Sequence, residues 1–177
     1  ANLIEDGIDY AITNYLPTQV SYKVKTLITL NYKLYCTKTY ADKYGVPRTL
    51  DEINDHFCAG YHNINGITSK QSQNSKTTIV VHNEDDEEFL IEMPENFRVN
   101  NITQNLKLIK SNEMICALNQ LAYKESKDVI DLVPVLPKYS FGKTKFYSIK
   151  HPYSNDAAVR EFAKFVEESI KEANAHK

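Results

Sequence analysis

Short apolar runs that are rich in β-branched and aromatic residues recur along the chain, and polar stretches separate them. This pattern predicts strands at residues 8–12, 26–36, 57–61, 77–82, 89–93, 115–118, 132–136 and 145–149. Helices are predicted at residues 39–44, 50–56, 101–110 and 120–128, followed by a C-terminal helix that begins after residue 154. Strands that alternate with helices favour an α/β fold with a mostly parallel sheet, and the adjacent strands 77–82 and 89–93 predict a hairpin.

Glycine, proline and hydroxyl side chains mark several of these boundaries. Gly7 is a candidate left-handed residue before the first strand, and Gly45 is predicted to end the helix 39–44. Pro47 lacks a backbone N–H and prevents that helix from continuing. Thr49 is a candidate cap of the helix 50–56. In the C-terminal helix, an apolar stripe predicts a face turned toward the core, formed by Ala158, Val159, Phe162, Val166 and Ile170.

Composition and charge narrow the possible functions. The chain has 177 residues, with 21 lysines plus arginines and 23 acidic residues, so its formal net charge is −2. Nucleic-acid-binding surfaces are usually basic, so this segment alone is not expected to bind DNA or RNA. The apolar fraction of 42% is enough for a packed core, and no apolar run approaches the length of a membrane span.

The cysteines and the start of the chain give two further expectations. Cys36, Cys58 and Cys116 are widely spaced and odd in number, which fits reduced thiols in a cytoplasmic protein better than disulfides or a zinc site. The sequence begins at Ala1, in the middle of a structured pattern and without an initiating methionine. We therefore predict that an upstream part is missing.

Two groups of residues carry potential chemistry, and each also has a simple structural explanation. Cys58 lies near His56 and His62 in the sequence, so a cysteine–histidine catalytic pair is an alternative to a buried structural thiol. The acidic run 84–88 predicts a solvated hairpin tip, because it lacks the ligand spacing and the turn glycine of the alternative, a calcium loop. The sequence contains no phosphate-binding glycine loop, nucleophile elbow or paired-cysteine motif. No cofactor and no metal are expected.

Six segments, in the same order and at similar separations, resemble the effector-binding domain of LysR-type transcriptional regulators. They are Leu3–Ile12 (family pattern L-I-x-x-G-x-D-x-A-I), Leu34–Pro47 (V-L-C-A-S-x-x-Y-L-x-x-x-G-x-P), Thr49–Tyr61 (T-P-x-D-L-x-x-H-x-C-L-x-Y), Phe97–Asn101 (L-x-V-N-N), Leu132–Pro137 (L-V-x-V-L-P) and Val159–Val166 (V-R-x-F-x-x-F-L). The resemblance extends over essentially the whole chain.

The chain also departs from the family pattern. The family's helix-turn-helix, its linker helix and the first strand and helix of its effector domain are not in this sequence. Thr13, Asn14 and Tyr15 replace the family's R-x-G, which removes an arginine, and Asn119 stands where the family has a proline. These changes fall near the expected ligand cleft, so a relative's effector does not transfer to this chain.

The resemblance implies a two-lobed, periplasmic-binding-protein-like (type II) α/β fold that is incomplete at its N-terminus. Lobe I would comprise residues 1–35 and 132–177, and lobe II residues 36–131, with the strands near 30–36 and 132–136 as the hinge. Ligands bind such folds in the crevice at the carboxyl ends of strands. Most candidate effector contacts are therefore residues that follow predicted strands: Thr13, Asn14, Tyr15, Thr37, Lys38, Tyr61, His62, Asn63 and Asn119. Asn100 and Asn101 are added because they precede a predicted helix.

An anion is one candidate class for the effector. Lys38 could pair with a negative charge, and residues 100–101 precede a predicted helix whose first backbone N–H groups favour an anion. The implied function is the ligand-sensing domain of a cytoplasmic, DNA-binding regulator that is not an enzyme. Its partners would be the small effector, other copies of the protein, and DNA only through the missing N-terminal domain, with no role at a membrane.

Two other functions remain as alternatives. The first is a stand-alone solute-binding protein of the same fold, against which the unpaired cysteines argue. The second is an enzyme that uses Cys58, His62 or the acidic run.

Overall fold

The structure is a computed structural model that describes residues 7–16, 22–61, 76–94, 97–99, 102–151 and 156–175. The chain divides into two units: unit 1 is Ala1–Leu30 with Thr144–Lys177, and unit 2 is Asn31–Lys143. In chain order the elements are β1 (Tyr10–Thr13), β2 (Lys23–Thr37), α1 (Lys38–Tyr44), a 3-10 helix (Asp51–Asp55), β3 (Cys58–Tyr61), β4 (Lys76–His82), β5 (Glu88–Pro94), β6 (Phe97–Val99), α2 (Ile102–Ile109), β7 (Ile115–Asn119), α3 (Gln120–Ser126), β8 (Leu132–Val135), β9 (Lys143–Lys150) and α4 (Ala157–Ala175).

Unit 1 is built on the antiparallel pair β1 and β9, in which Tyr10 lies opposite Lys150 and Thr13 opposite Tyr147. β9 is followed in the sheet by β2, whose first half belongs to this unit. The long strand predicted at 26–36 is confirmed as β2. Tyr22, which directly precedes β2, and Ile149 on β9 form a small buried core in this unit.

The apolar stripe of α4 is only partly buried, which corrects the prediction of a fully core-facing helix. Val166 is buried, but Phe162 is 52% exposed and Phe165 is 65% exposed. The Phe162 ring meets Tyr10 edge-on with 5.6 Å between centroids. Tyr10 lies on β1, the end strand of the described sheet, so Phe162 packs at the margin of the sheet. No helix within the described ranges is long and apolar enough to cross a membrane.

Unit 2 contains a mixed sheet in the order β2-β7-β3-β6, and β8 pairs with the other edge of β2. β3 runs parallel to both β6 and β7, whereas β2 is antiparallel to both β7 and β8. The prediction of a mostly parallel sheet is therefore wrong for the described strands. A parallel strand needs a crossover connection, while β2 enters unit 2 directly and runs opposite to the strands that follow it.

The main core of unit 2 lies between this sheet and the helices α2 and α3. Tyr35, Cys116, Leu118 and Ile109 are buried together there. The Tyr35 ring stacks on Tyr123 of α3 with 4.7 Å between centroids. Every residue of β7 is buried, as expected for a central strand covered on both faces.

The helix α1 and the 3-10 helix begin and end near the predicted positions. Gly45 ends α1 with φ +79°, a left-handed conformation that favours glycine, and its N–H donates to Ala41 O at 2.9 Å. The predicted helix 50–56 is a 3-10 helix, whose Ile53 N–H donates to Leu50 O. A segment of five residues is typical of this tighter geometry.

The predicted hairpin is confirmed as the antiparallel pair β4 and β5. Lys76 lies opposite Pro94 at one end of the pair, and His82 lies opposite Glu88 at the other. The Asn83 side chain organises its tip by accepting hydrogen bonds from the N–H groups of Asp85 and Glu87. The hairpin is tied to the rest of unit 2 by two backbone hydrogen bonds between His82 and Ser140.

Candidate functional site

The carboxyl ends of the parallel strands of unit 2 form one edge of its sheet. β7 ends at Asn119 and β3 at Tyr61, and these strands are neighbours that run in the same direction. β6 lies on the other side of β3 and ends just before residues 100–101. Open α/β sheets bind ligands at such an edge, so we take this carboxyl edge as the candidate effector site.

Asn119 has a defined structural role at the carboxyl edge. It is buried, with 8% exposure, and its Oδ1 accepts a hydrogen bond from the Ala122 N–H at 2.9 Å, which caps α3. The next residue, Gln120, accepts a hydrogen bond from the Asn31 N–H at 2.8 Å. The amide Nδ2 of Asn119 takes no part in this cap and can donate to an acceptor.

Thr37 and Lys38 lie at the opposite edge of the same sheet. β2 runs antiparallel to β7 with Tyr32 opposite Asn119, so Thr37 is five residues away along β2. At about 3.4 Å per residue, the separation is roughly 17 Å. The prediction placed these two residues at one edge with Asn119, because it took the strands as parallel.

The side chains of Thr37 and Lys38 have local partners. The buried Thr37 hydroxyl accepts from the Tyr40 N–H, which caps α1, and donates to Asn112 Oδ1 at 2.7 Å. The exposed Lys38 ammonium pairs with Asp42 one turn later, and this hydrogen bond raises the pKa of Lys38. These contacts show that Thr37 and Lys38 stabilise the start of α1.

The remaining predicted contacts fall into two groups. Thr13, Asn14 and Tyr15 lie at the end of β1 in unit 1, where the Thr13 hydroxyl donates to Tyr15 O and Tyr15 is 50% exposed. Tyr61 is described only by its backbone position at the end of β3. His62, Asn63, Asn100 and Asn101 lie outside the described residues.

The three cysteines are buried structural thiols. Cys58 is 1% exposed, and its burial raises the pKa of its thiol to about 12; burial likewise raises that of Cys36 to about 11. Cys58 therefore remains a protonated thiol at neutral pH, which argues against a nucleophile. His56, its proposed partner, instead has its Nδ1 at 2.7 Å from the Tyr40 hydroxyl.

The acidic run 84–88 lies at the hairpin tip, as predicted, and several of its carboxylates have partners. Asp86 pairs with Lys143 at 2.5 Å, and this hydrogen bond lowers the pKa of Asp86. Glu87 accepts from the Asn83 side chain, and Glu88 lies 3.0 Å from His82 Nε2. Within the described ranges, no three metal-ligating side chains form a group that could hold an ion.

A cavity at the amino edge of the unit 2 sheet was not predicted. It has a volume of about 720 Å³ and is lined by residues that include Tyr40, Tyr44, His56, Phe57, Glu113 and Met114. The sequence contained one signal, since Tyr40 and Tyr44 are four residues apart and share a face of α1. Nothing local in the sequence shows that Phe57 and Glu113 lie beside that face.

Comparison with known proteins shows what this fold is similar to. No protein-family model and no curated protein sequence matches the chain. The regulatory domain of AphB from Vibrio vulnificus matches with a TM-score of 0.70 and 16% identity, over 91% of this chain and 75% of that one. The regulatory domain of CrgA, a LysR-type transcriptional regulator from Neisseria meningitidis, matches with a TM-score of 0.69 and 20% identity, over 96% of this chain and 78% of that one.

A full-length structure shows how much of a whole regulator the 177-residue chain corresponds to. The Vibrio cholerae virulence activator AphB matches with a TM-score of 0.67 and 16% identity, over 89% of this chain but 50% of that one. The chain thus spans about half of a full-length regulator. The resemblance seen in the sequence is confirmed at the level of structure: the chain has the type II periplasmic-binding-protein-like fold of the regulatory domains of LysR-type transcriptional regulators.

Proposed function

We propose that this chain is the ligand-sensing regulatory domain of a LysR-type DNA-binding transcriptional regulator. The observation that supports this most strongly is the similarity to regulatory domains over 91–96% of the chain. A fold alone does not determine a function. Here the fold agrees with six ordered sequence segments that resemble the same domain.

The proposed effector is a small molecule bound at the carboxyl edge of unit 2, at the ends of β3 and β7. Lys38 gives no support for an anionic effector there, because it lies at the opposite edge. An anion remains a candidate class, because α2 begins at Ile102, three residues after β6 ends at Val99. Only the resemblance to LysR-type effector-binding domains supports a position of the effector between the two lobes.

The proposed mechanism is a binding switch. A ligand shifts a conformational equilibrium only by its difference in affinity for the two states, so the effector must bind one arrangement of the domain more tightly. That shift would reach DNA through a helix-turn-helix outside this sequence, in a cytoplasmic homo-oligomer. The proposal includes no catalytic step and no cofactor.

The test is a thermal-shift screen of the chain against small metabolites, half of them carboxylates. A ligand at one hundred times its Kd should stabilise the chain by about 2.7 kcal/mol. Asn119→Ser keeps a capping oxygen but removes the amide, so it should weaken the response to the hit. Thr37→Ser keeps the cap at the other edge and should leave the response unchanged.

Two outcomes would contradict the proposal. One is that no compound stabilises the chain. The other is that the response to a hit survives Asn119→Ser and is lost in Thr37→Ser. That result would place the ligand at the edge of the sheet opposite the proposed site.

A further inference from the structure

The cavity at the amino edge of unit 2 lies where two parallel strands begin. Phe57 directly precedes β3 and Met114 directly precedes β7, and the Ile115 N–H donates to Phe57 O at 2.8 Å. β7 spans Ile115–Asn119, so this cavity and the carboxyl edge are separated by roughly 14 Å of strand. Its volume of about 720 Å³ falls within the range of small-molecule sites.

Aromatic rings form much of the lining. The Tyr40 ring is buried and lies 4.9 Å from the Tyr44 ring and 5.9 Å from the His56 ring, between centroids. The hydrogen bond of 2.7 Å between the Tyr40 hydroxyl and His56 Nδ1 holds these two rings together. Phe57 is 59% exposed, so the core does not account for this large apolar side chain. The lining therefore offers rings to an apolar or aromatic body.

Apart from His56, the described ionisable side chains that line the cavity are acidic residues and tyrosines. Asp55 and Glu113 contribute carboxylates, and no lysine or arginine is among the described residues that line the cavity. The Tyr44 hydroxyl and the Lys43 ammonium both hydrogen-bond to Glu113, and they lower the pKa of this carboxyl group. Glu113 is thus ionised at neutral pH. An ammonium group that displaces Lys43 would therefore meet a carboxylate, whereas an anion would find no lysine or arginine among the described lining residues.

The chain's own Lys43 shows how an ammonium group is held at this place. Its Nζ lies 2.9 Å from Glu113 Oε1 and 4.6 Å from the centroid of the Tyr44 ring. The Tyr44 hydroxyl donates to the other oxygen of Glu113 at 2.5 Å, which keeps the carboxylate beside the ring. A carboxylate next to aromatic rings is the arrangement that binds ammonium ligands. The Lys43 side chain is exposed, so its ammonium group can move into solvent when a ligand takes its place.

We propose that this cavity is a second small-molecule site, which binds organic cations that carry an ammonium group on an aromatic or alkyl body. The ammonium group takes the place of Lys43 between Glu113 and Tyr44. The body lies against Tyr40, Phe57 and Met114. This site is distinct from the proposed effector site, because the two lie at opposite edges of the sheet.

The test compares three ligands that share a phenylethyl body and differ in the charge of the end group: 2-phenylethylamine, 2-phenylethanol and 3-phenylpropanoate. Binding to the 177-residue chain is measured by calorimetry, and the site is located by amide chemical shifts. The amine is expected to bind about tenfold more tightly than the alcohol, and the carboxylate most weakly. Its shifts should centre on Tyr44, Phe57 and Met114. Equal affinity for all three ligands, or shifts centred on Asn119, would overturn the proposal.

Variants separate the two halves of the site. Glu113→Gln should weaken amine binding about three- to tenfold and leave alcohol binding unchanged, with Glu125→Gln on the exposed face of α3 as control. Phe57→Ala should weaken all three ligands, with Phe89→Ala on β5 as control. All four residues are exposed, so circular dichroism is expected to show native folding.

Lys43→Met gives the sharpest result, because it removes the internal competitor and keeps the apolar stem. Amine affinity should rise in this variant. An affinity that falls would show that Lys43 does not compete with the ligand and would overturn the proposed position of the ammonium group.

Discussion

The substitution Asn105→Asp tests the packing of α2 on β7 next to the candidate effector site. Asn105 is fully buried, and its Nδ2 donates to Ala117 O at 2.8 Å. Its Oδ1 has no hydrogen-bond partner among the residues that the structure describes. A neutral carboxylic acid could still donate to Ala117 O, whereas a carboxylate would face that oxygen without a donor. The new carboxyl group should therefore have a raised pKa in the folded chain.

The size of the effect follows from the burial. Fully buried carboxyl groups are shifted by about 3 units or more, from about 3.9 to about 7 here, at 1.36 kcal/mol per unit. A raised folded-state pKa means that the penalty is absent below the unfolded-state pKa and grows as the pH rises toward the folded-state value. By this linkage, the loss of unfolding free energy should be about 1.5 kcal/mol at pH 5 and about 4 kcal/mol at pH 7.5.

The assay is urea unfolding followed by circular dichroism at both pH values, for Asn105→Asp, the unsubstituted chain and Asn31→Asp. Asn31 is exposed on β2, so its substitution should change the unfolding free energy by less than about 0.5 kcal/mol at either pH. A variant that folds at pH 5 and not at pH 7.5 would agree with the reasoning. An equal penalty at the two pH values would show that the site around Asn105 is hydrated, and would refute it.

Three further predictions concern caps, thiols and a turn. Asn119→Ala should lower the unfolding free energy by about 1 kcal/mol in urea titrations, because the Ala122 N–H loses its acceptor, and Asn119→Asp should restore most of it. Cys58 should resist iodoacetamide at pH 8 in the folded chain and react in urea, because burial raises its pKa to about 12; fast labelling of the native chain would contradict this. Gly45→Ala should cost about 1 kcal/mol or more, since φ is +79° there, and an unchanged urea midpoint would contradict the assigned conformation.

The sequence predicted most of the elements because their signals are local. The β-branched run that forms β2, the end of α1 at Gly45 and the hairpin 76–94 all depend on residues close together in the chain. The direction of β2 relative to β7 depends on pairing between residues about 85 positions apart, such as Tyr32 and Asn119. No local pattern reports such a pairing, and this is why Thr37 was grouped with Asn119 although the two residues lie at opposite edges of the sheet.

The same distinction between local signals and long-range contacts applies to the candidate sites. Asn119 was predicted as an effector contact because it ends a strand, and the structure adds its role as the cap of α3. The amino-edge cavity was missed because it joins α1, the segment before β3 and the segment before β7. Phe162 was assigned to the core from its helical spacing, but spacing does not tell how far the underlying sheet extends.

The most direct test of the proposed function is the intact mass and N-terminal sequence of the protein purified from its own source. A LysR-type regulator should be a longer product with a basic helix-turn-helix before Ala1, since this chain spans about half of a full-length relative. A native product that begins at Ala1 would contradict a DNA-binding role for this polypeptide and would favour the stand-alone binding protein.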